Sequence, residues 1–194
     1  QKGQIVHKNE WINQEVGVFP NFTFVRQLKK ALSQNDGTIF RYAPNENTIL
    51  NMIYHQLQAS NEADKAELCA WIRTITKSSG GAPVGWEGPR NMVDMLELVK
   101  RYYYHPLTNG CNSIKYVLPA VLNQSDFLKQ KYRLPVYGRE IQSFNFSNWQ
   151  WIQEDGNGKI INPYQLLPKL LDDAEMQQVE KMLMHQDIDD GGAA

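Results

Sequence analysis

Cysteine is nearly absent: Cys69 and Cys111 are the only two among 194 residues. This excludes a scaffold stapled by several disulfides and any Cys-x-x-Cys metal knuckle; two buried thiols in a reducing cytosol are expected, with a single disulfide as the alternative. Long hydrophobic runs are also missing. None approaches the roughly 20 residues that cross a bilayer, so no membrane helix and no membrane partner are expected. The opening stretch Gln1–Asn9 is polar, without a signal-peptide core. The Asn-x-Ser/Thr triplets at Asn21, Asn123 and Asn145 therefore read as chance, and a cytoplasmic protein is expected. Nor is there an excess of either charge. Twenty Lys and Arg against 21 Asp and Glu exclude an overall polycation, though not a local basic patch. The strong chemical signatures are lacking as well: no phosphate loop, no Gly-x-Gly-x-x-Gly, no His-Glu-x-x-His, no Gly-x-Ser-x-Gly elbow. His7, His55, His105 and His185 are scattered. Asp155-Gly-Asn-Gly158 starts like a calcium loop but lacks the closing Glu.

What is present is a composition that folds. Apolar residues make up 42%, with 21 aromatic rings, which rules out disorder for most of the chain. A chain of this size buries roughly 70% of its unfolded surface without staples. Periodicity predicts a short strand at 4–7 and a helix after Pro20, capped by Asn21, with Phe24, Leu28, Ala31 and Leu32 inward. A β-branched and aromatic strand follows at Thr38–Tyr42. The next helix runs from Glu46 to about Ala59, with Asn45 at its cap and Ile49, Ile53 and Leu57 on one face. The segment Glu62–Thr76 is helical, with Leu68, Trp71, Ile72 and Ile75 at the spacing of one helix face. A Gly-, Pro- and Ser-rich loop spans Ser78–Pro89, then a helix is predicted over Asn91–Tyr104. Shorter helices are expected at Ser113–Leu122, kinked or broken near Pro119, and at Ser125–Tyr132. The alternation of Trp149 and Trp151 suggests a strand, Asp155–Gly158 a hairpin turn, and Asn162-Pro163 a short helix stopped by Pro168. Asp172–His185 reads as a polar helix striped by Met176, Val179 and Leu183, ahead of an acidic, Gly-rich end. Many helices with two or three strands in mixed order argue α/β or α+β with a small sheet.

Three places carry potential chemistry. In Tyr42-Ala-Pro-Asn-Glu46 a strand ends, the chain turns, and a carboxylate opens a helix. Ligands of α/β folds bind at such an edge, and Mg²⁺ needs carboxylate oxygens there; equally, Glu46 complements the helix dipole. In Arg90-Asn-Met-Val-Asp94-Met-Leu-Glu97, Asp94 lies among apolar residues, where a charge needs a partner or a metal. The alternative is a solvated helix face of Asp94, Glu97, Lys100 and Arg101. In Arg101-Tyr-Tyr-Tyr-His105-Pro and Asn112-Ser-Ile-Lys115-Tyr116, rings interleave with cations, a pattern that suits single-stranded nucleic acid or mere packing.

Taken together, these strings resemble a bacterial domain-of-unknown-function family. The resemblance rests on Arg90-Asn-Met-Val-Asp94, Tyr-Tyr-x-His105-Pro, Asn112-Ser-Ile-Lys-Tyr-Val-Leu-Pro119 and Val136-Tyr-Gly138. It extends to His7-x-x-Glu10-Trp-Ile, Phe19-Pro-Asn-Phe22, Thr38-Ile-Phe-Arg-Tyr, Glu46-Asn-Thr-Ile-Leu50, Asn162-Pro-Tyr and Asp190-Gly-Gly-Ala-Ala. That family is similar to DnaQ-like (DEDD-type) 3'-5' exonucleases, and its members often carry a RecB-type nuclease region. The resemblance implies an α/β, ribonuclease H-like fold, helix-rich and incomplete, with a small mixed sheet. Residues 1–194 would be a single domain, the central part of a DnaQ-like nuclease domain.

It further implies that Glu46 stands at the second carboxylate motif, where Asp is usual, and that Asp94 opens a later helix either as metal-site support or as structure. Both are catalytic and metal candidates for Mg²⁺ or Mn²⁺; Asn45, Arg90, Lys115 and Tyr116 are candidates for contacting nucleic acid, DNA in preference to RNA. The first and last carboxylate motifs are expected outside the chain, which begins with Gln1. The fragment is expected to be inactive alone, with a RecB-type region of the same parent as partner. A non-catalytic, degenerate nuclease fold that binds nucleic acid is the alternative, favoured by Glu in place of Asp at position 46.

Overall fold

The computed structural model describes residues 5–13, 15, 17–78 and 85–167. The chain divides into two compact units, 1–152 and 153–194.

The first unit is organised around three helices: α1 (Asn21–Leu32), α2 (Asn45–Ala59) and α3 (Lys65–Ile75). Leu68, Trp71, Ile72 and Ile75 are buried on α3, as their spacing predicts. They close on Val25 of α1, on Leu50, Ile53 and Leu57 of α2, and on Met92. On α2 the inward stripe differs from the expected one. Ile49 is half exposed, and Leu50 takes its place. Steps of four residues drift around a 3.6-residue helix, whereas 50, 53 and 57 stay on one line. The same face buries two polar side chains, Asn47 and Asn51.

Those asparagines hold the chain as it leaves α3. Asn47 donates to the Lys77 carbonyl and accepts from its N–H, both at 3.0 Å, as a strand neighbour would. Asn51 donates to the same carbonyl at 3.0 Å and to the Asn47 carbonyl at 2.7 Å. The described ends of the Ser78–Pro89 loop are pinned here: Ser78 N–H donates to the Trp86 carbonyl (2.8 Å) and Gly88 N–H to that of Thr76 (2.9 Å). A Cβ on Gly88 would lie 2.2 Å from the Arg73 carbonyl oxygen, so only glycine fits that approach.

Arg26 on α1 spans to the α2–α3 connection, donating to both Asp64 oxygens at 2.7 Å and to Glu62. The hydrogen bond from Arg26 is the main cause that holds the Asp64 carboxyl below its ordinary value. A depressed carboxyl contributes stability that is present above about pH 4 and lost as pH falls through the folded value. Acid unfolding of an Arg26→Gln variant should therefore show a weaker dependence on pH below about 4 than the parent. Equal pH dependence in both would remove Asp64 from the account.

Two strands form the small sheet: β1 (Phe40–Arg41) and β2 (Val93–Asp94) run parallel, with Phe40 opposite Val93 and Arg41 opposite Asp94. The chain is thus α/β in the general sense, helix-rich with a parallel rather than mixed pair among the described residues. β1 is shorter than the predicted Thr38–Tyr42 strand. Residues 91–94 are not helical; α4 (Met95–Tyr102) starts only after β2, with Asp94 as its N-cap. No strand forms at residues 5–7; His7 N–H instead donates to the Gln142 carbonyl at 3.1 Å.

Next come α5 (Ile114–Gln124), capped by Ser113, and α6 (Asp126–Tyr132), capped by Ser125. α5 continues through Pro119 rather than breaking there, and the Pro119 carbonyl is bonded by the Asn123 side chain at 2.8 Å. Trp149 pairs with Tyr137 in an isolated antiparallel bridge, its N–H donating to the Tyr137 carbonyl at 2.8 Å, but no longer strand forms around Trp149 and Trp151. They join Phe146 and Tyr137 in a ring cluster with centroids 5.0–5.8 Å apart. Cys69 and Cys111 are both free and only partly buried.

In the second unit, Asp155–Gly158 forms the predicted turn. The Asp155 Oδ1 accepts from the N–H groups of Asn157 and Lys159, both at 2.9 Å, which closes the turn. Asn162 caps a 3-10 turn at Pro163–Leu166. The Pro168 stop, the Asp172–His185 helix and the closing Gly-rich stretch lie outside the described residues. Among the described residues no helix is long and apolar enough to cross a membrane.

Candidate functional site at the carboxyl edge of the sheet

Because β1 and β2 are parallel, both leave the sheet at the same edge, and each feeds directly into a helix. The turn Tyr42-Ala43-Pro44 leads into α2, and Asp94 leads into α4. Two helix N-termini, with their partial positive charge, therefore meet one rim.

Asp94 ties that rim together. Its Oδ2 accepts from Arg41 Nη1 at 2.8 Å in an ion pair whose side chains are only 13% and 7% exposed. Its Oδ1 accepts from Leu96 N–H, capping α4, and from Ala43 N–H, both at 3.0 Å. Arg41 also donates to the Ala43 carbonyl. Ala43 is thus gripped at both peptide groups, and it needs to be: its φ is +82°, in the left-handed region that a side chain disfavours. The charge that the sequence places among apolar residues has found a partner, and that partner is an arginine. Asp94 is not part of a solvated face, although Glu97 and Lys100 do pair at 2.9 Å on the exposed side of α4.

Glu46 sits in the first turn of α2 and is exposed. Its carboxylate makes no hydrogen bond or ion pair among the described residues. Asn45 is the first residue of α2 and also exposed; Pro44, not Asn45, occupies the cap position, and no side chain caps this helix. The first N–H groups of α2 are left without a side-chain acceptor.

Arg90 is drawn elsewhere. It donates to the Gly37 carbonyl at 2.9 Å and to that of Leu32 at 3.4 Å, closing the C-terminal end of α1. Lys115 and Tyr116 lie exposed in the first turn of α5. They are linked to the rim through Tyr42, whose hydroxyl donates to the Asn112 carbonyl at 2.5 Å, one residue before the α5 cap. The structure therefore brings Asn45, Glu46 and Asp94 to one edge, anchors Lys115 and Tyr116 to the turn of that edge, and employs Arg90 in the core's framework.

Sequence reasoning missed Arg41. The signal was available: an arginine within Thr-Ile-Phe-Arg-Tyr and an aspartate within Met-Val-Asp-Met are opposite charges, each embedded in a short apolar run. It also missed Asn47 and Asn51, whose polar side chains gave no hint of burial.

Among the described residues no three His, Cys, Asp or Glu side chains are grouped to hold a metal ion. One open carboxylate, Glu46, does not by itself fit a two-ion centre, and Asp94 has both oxygens engaged.

No curated protein and no solved structure matches the chain. A family model, described as a domain of unknown function (DUF2779), matches residues 1–113, a stretch that contains β1, β2, α4 and the whole rim. The chain belongs to that family.

Proposed function

We propose that this chain is part of a nucleic-acid-processing domain of the DnaQ-like, ribonuclease H-like kind, hydrolysing phosphodiester bonds from a 3' end. In this reading Glu46 supplies one oxygen ligand for Mg²⁺ or Mn²⁺. The observation that carries it is the placement of Glu46: an open carboxylate on the carboxyl edge of a parallel strand pair, where α/β folds seat their ligands. A pair of ions about 3.5–4 Å apart needs several carboxylates. The reading therefore requires further ligands, which the resemblance places outside residues 1–194, and residues 1–194 are expected to be inactive alone. Asp94 serves as a positioning residue that fixes the turn before Glu46. DNA and a RecB-type region of the same parent are the partners this reading implies.

The test is Mn²⁺-dependent degradation of end-labelled DNA by the full-length parent. Glu46→Gln should lower the rate by at least about 100-fold, because a lost metal carboxylate forfeits several kcal/mol of charge stabilisation. Unchanged activity overturns the assignment.

A specific observation favours a second reading, a non-catalytic module that binds nucleic acid. The Asp94 carboxylate is spent on Arg41, Ala43 and Leu96. Mn²⁺ titration of the parent by calorimetry separates the two, since a degenerate site takes up no ion.

A further inference from the structure

Formal charge along the chain is segregated. Between residues 98 and 139 there are seven Lys and Arg against a single acidic residue, Asp126. The rest of the chain has thirteen basic residues against twenty acidic ones. The basic stretch covers the end of α4, the 3-10 turn Pro106–Thr108, α5 and α6, all within the first unit. Within it Lys100 pairs with Glu97 and Lys129 with Asp126, at 2.9 and 2.8 Å, whereas Arg101 and Lys115 have no carboxylate partner among the described residues.

The same stretch exposes aromatic rings. Tyr102 is 79% exposed, Tyr104 84% and Tyr116 48%. Aromatic side chains commonly bury 150–250 Å² each, so three left open in one basic segment are unusual. Their exposure has a local cause. The helix ends at Tyr102, and Tyr103 adopts extended backbone (φ -120°, ψ 125°). Successive side chains in extended chain point to opposite sides. Tyr103 is accordingly the one turned inward: it is partly buried, its hydroxyl has no hydrogen-bond partner among the described residues, and burial pushes that hydroxyl's pKa up. Its neighbours Tyr102 and Tyr104 face water. Arg101 and Lys115 are exposed beside them in sequence.

We infer that this exposed basic stretch binds single-stranded nucleic acid, with bases stacked on Tyr102, Tyr104 and Tyr116 and phosphates neutralised by Arg101 and Lys115. Cations without carboxylates select a polyanion. Open ring faces select one whose bases are unpaired, because a duplex hides its base faces. The proposal rests on the nucleic-acid reading above and names the form of nucleic acid that the rim would receive. The link is Tyr42, which joins the turn before Glu46 to the chain just ahead of Lys115 and Tyr116.

The experiment is fluorescence anisotropy with a labelled oligothymidylate, in EDTA so that no metal-dependent cleavage enters the reading. The purified protein should bind the single strand, and bind the matching duplex at least about tenfold more weakly. Tyr102→Ala/Tyr104→Ala, at two exposed positions, should weaken binding at least fivefold, since each stacked base contributes about 1–3 kcal/mol. Arg101→Ala/Lys115→Ala should reduce the slope of log affinity against log salt by about 1.4, from about 0.7 per phosphate contact. Circular dichroism of each variant verifies that the fold is kept. The proposal is overturned if the tyrosine variant binds as tightly as the parent, or if duplex binds equally well. It also falls if no nucleic acid binds while vesicles of phosphatidylserine do. Absence of Mn²⁺-dependent cleavage by the full-length parent, with strand binding retained, would sink the catalytic reading alone; cleavage by the parent without strand binding would sink only this surface.

Discussion

Replacing Asp94 with alanine is expected to destabilise the protein by about 3–5 kcal/mol, the usual consequence of removing one partner of a buried ion pair. Arg41 would remain 93% buried as judged by its 7% exposure, with its charge unanswered. Its Nε already lacks a partner among the described residues, and the acceptor left to its Nη1, the Ala43 carbonyl, is neutral. The α4 cap and the bond to Ala43 N–H disappear in the same step; a lost cap alone costs about 1 kcal/mol. Urea unfolding measures the effect. The double variant Arg41→Met/Asp94→Leu provides the decisive comparison, because exchanging a whole buried pair for apolar groups is often neutral or better. If Asp94→Ala loses less than about 1 kcal/mol, the rim is not held as described. If the double variant is as damaged as the single one, capping rather than charge dominates.

Gly138→Ala is expected to cost about 2–4 kcal/mol. Two independent penalties combine. Gly138 has φ +76°, and a side chain in that region costs roughly 1–2 kcal/mol. A Cβ there would also stand 1.9 Å from the Phe146 carbonyl oxygen and 2.6 Å from the Ser147 Cα. Both contacts are backbone, so relief requires moving the 146–147 segment, and overpacking of this kind costs about 1–3 kcal/mol. That segment carries Phe146 into the ring cluster with Trp149 and Trp151. The loss should therefore appear both in urea unfolding and as a changed tryptophan emission of the folded state. A variant with parental stability and emission would contradict the close approach.

The three-helix core was legible because its signal is local. Leu68, Trp71, Ile72 and Ile75 announce α3 by spacing, and α5 and α6 follow the residues, Ser113 and Ser125, at which the predicted helices open. What the sequence conceals is pairing across distance. β2 reads as the start of a helix because Val93 and Asp94 continue the apolar pattern of α4, and only the Phe40–Val93 pairing makes them a strand. Trp149 and Trp151 alternate as in a strand, yet their rings pack on one another, and ring packing overrides the period. Of the candidate site, Glu46 could be placed at the helix start from Pro44 onwards. The occupation of Asp94 by Arg41 could not be read, because the two are far apart in sequence. Arg90, one residue from Asn91 in the most recognisable string, turns out to serve the end of α1 instead of the rim.

Ala43 gives the rim a mechanical property. Its left-handed backbone is held by one carboxylate and one guanidinium, which are themselves held by each other. Strain kept in place by a single clasp is released all at once. The conformation of the turn ahead of Glu46 is therefore conditional on that one ion pair, since Arg41 and Asp94 supply the bonds to both peptide groups of Ala43.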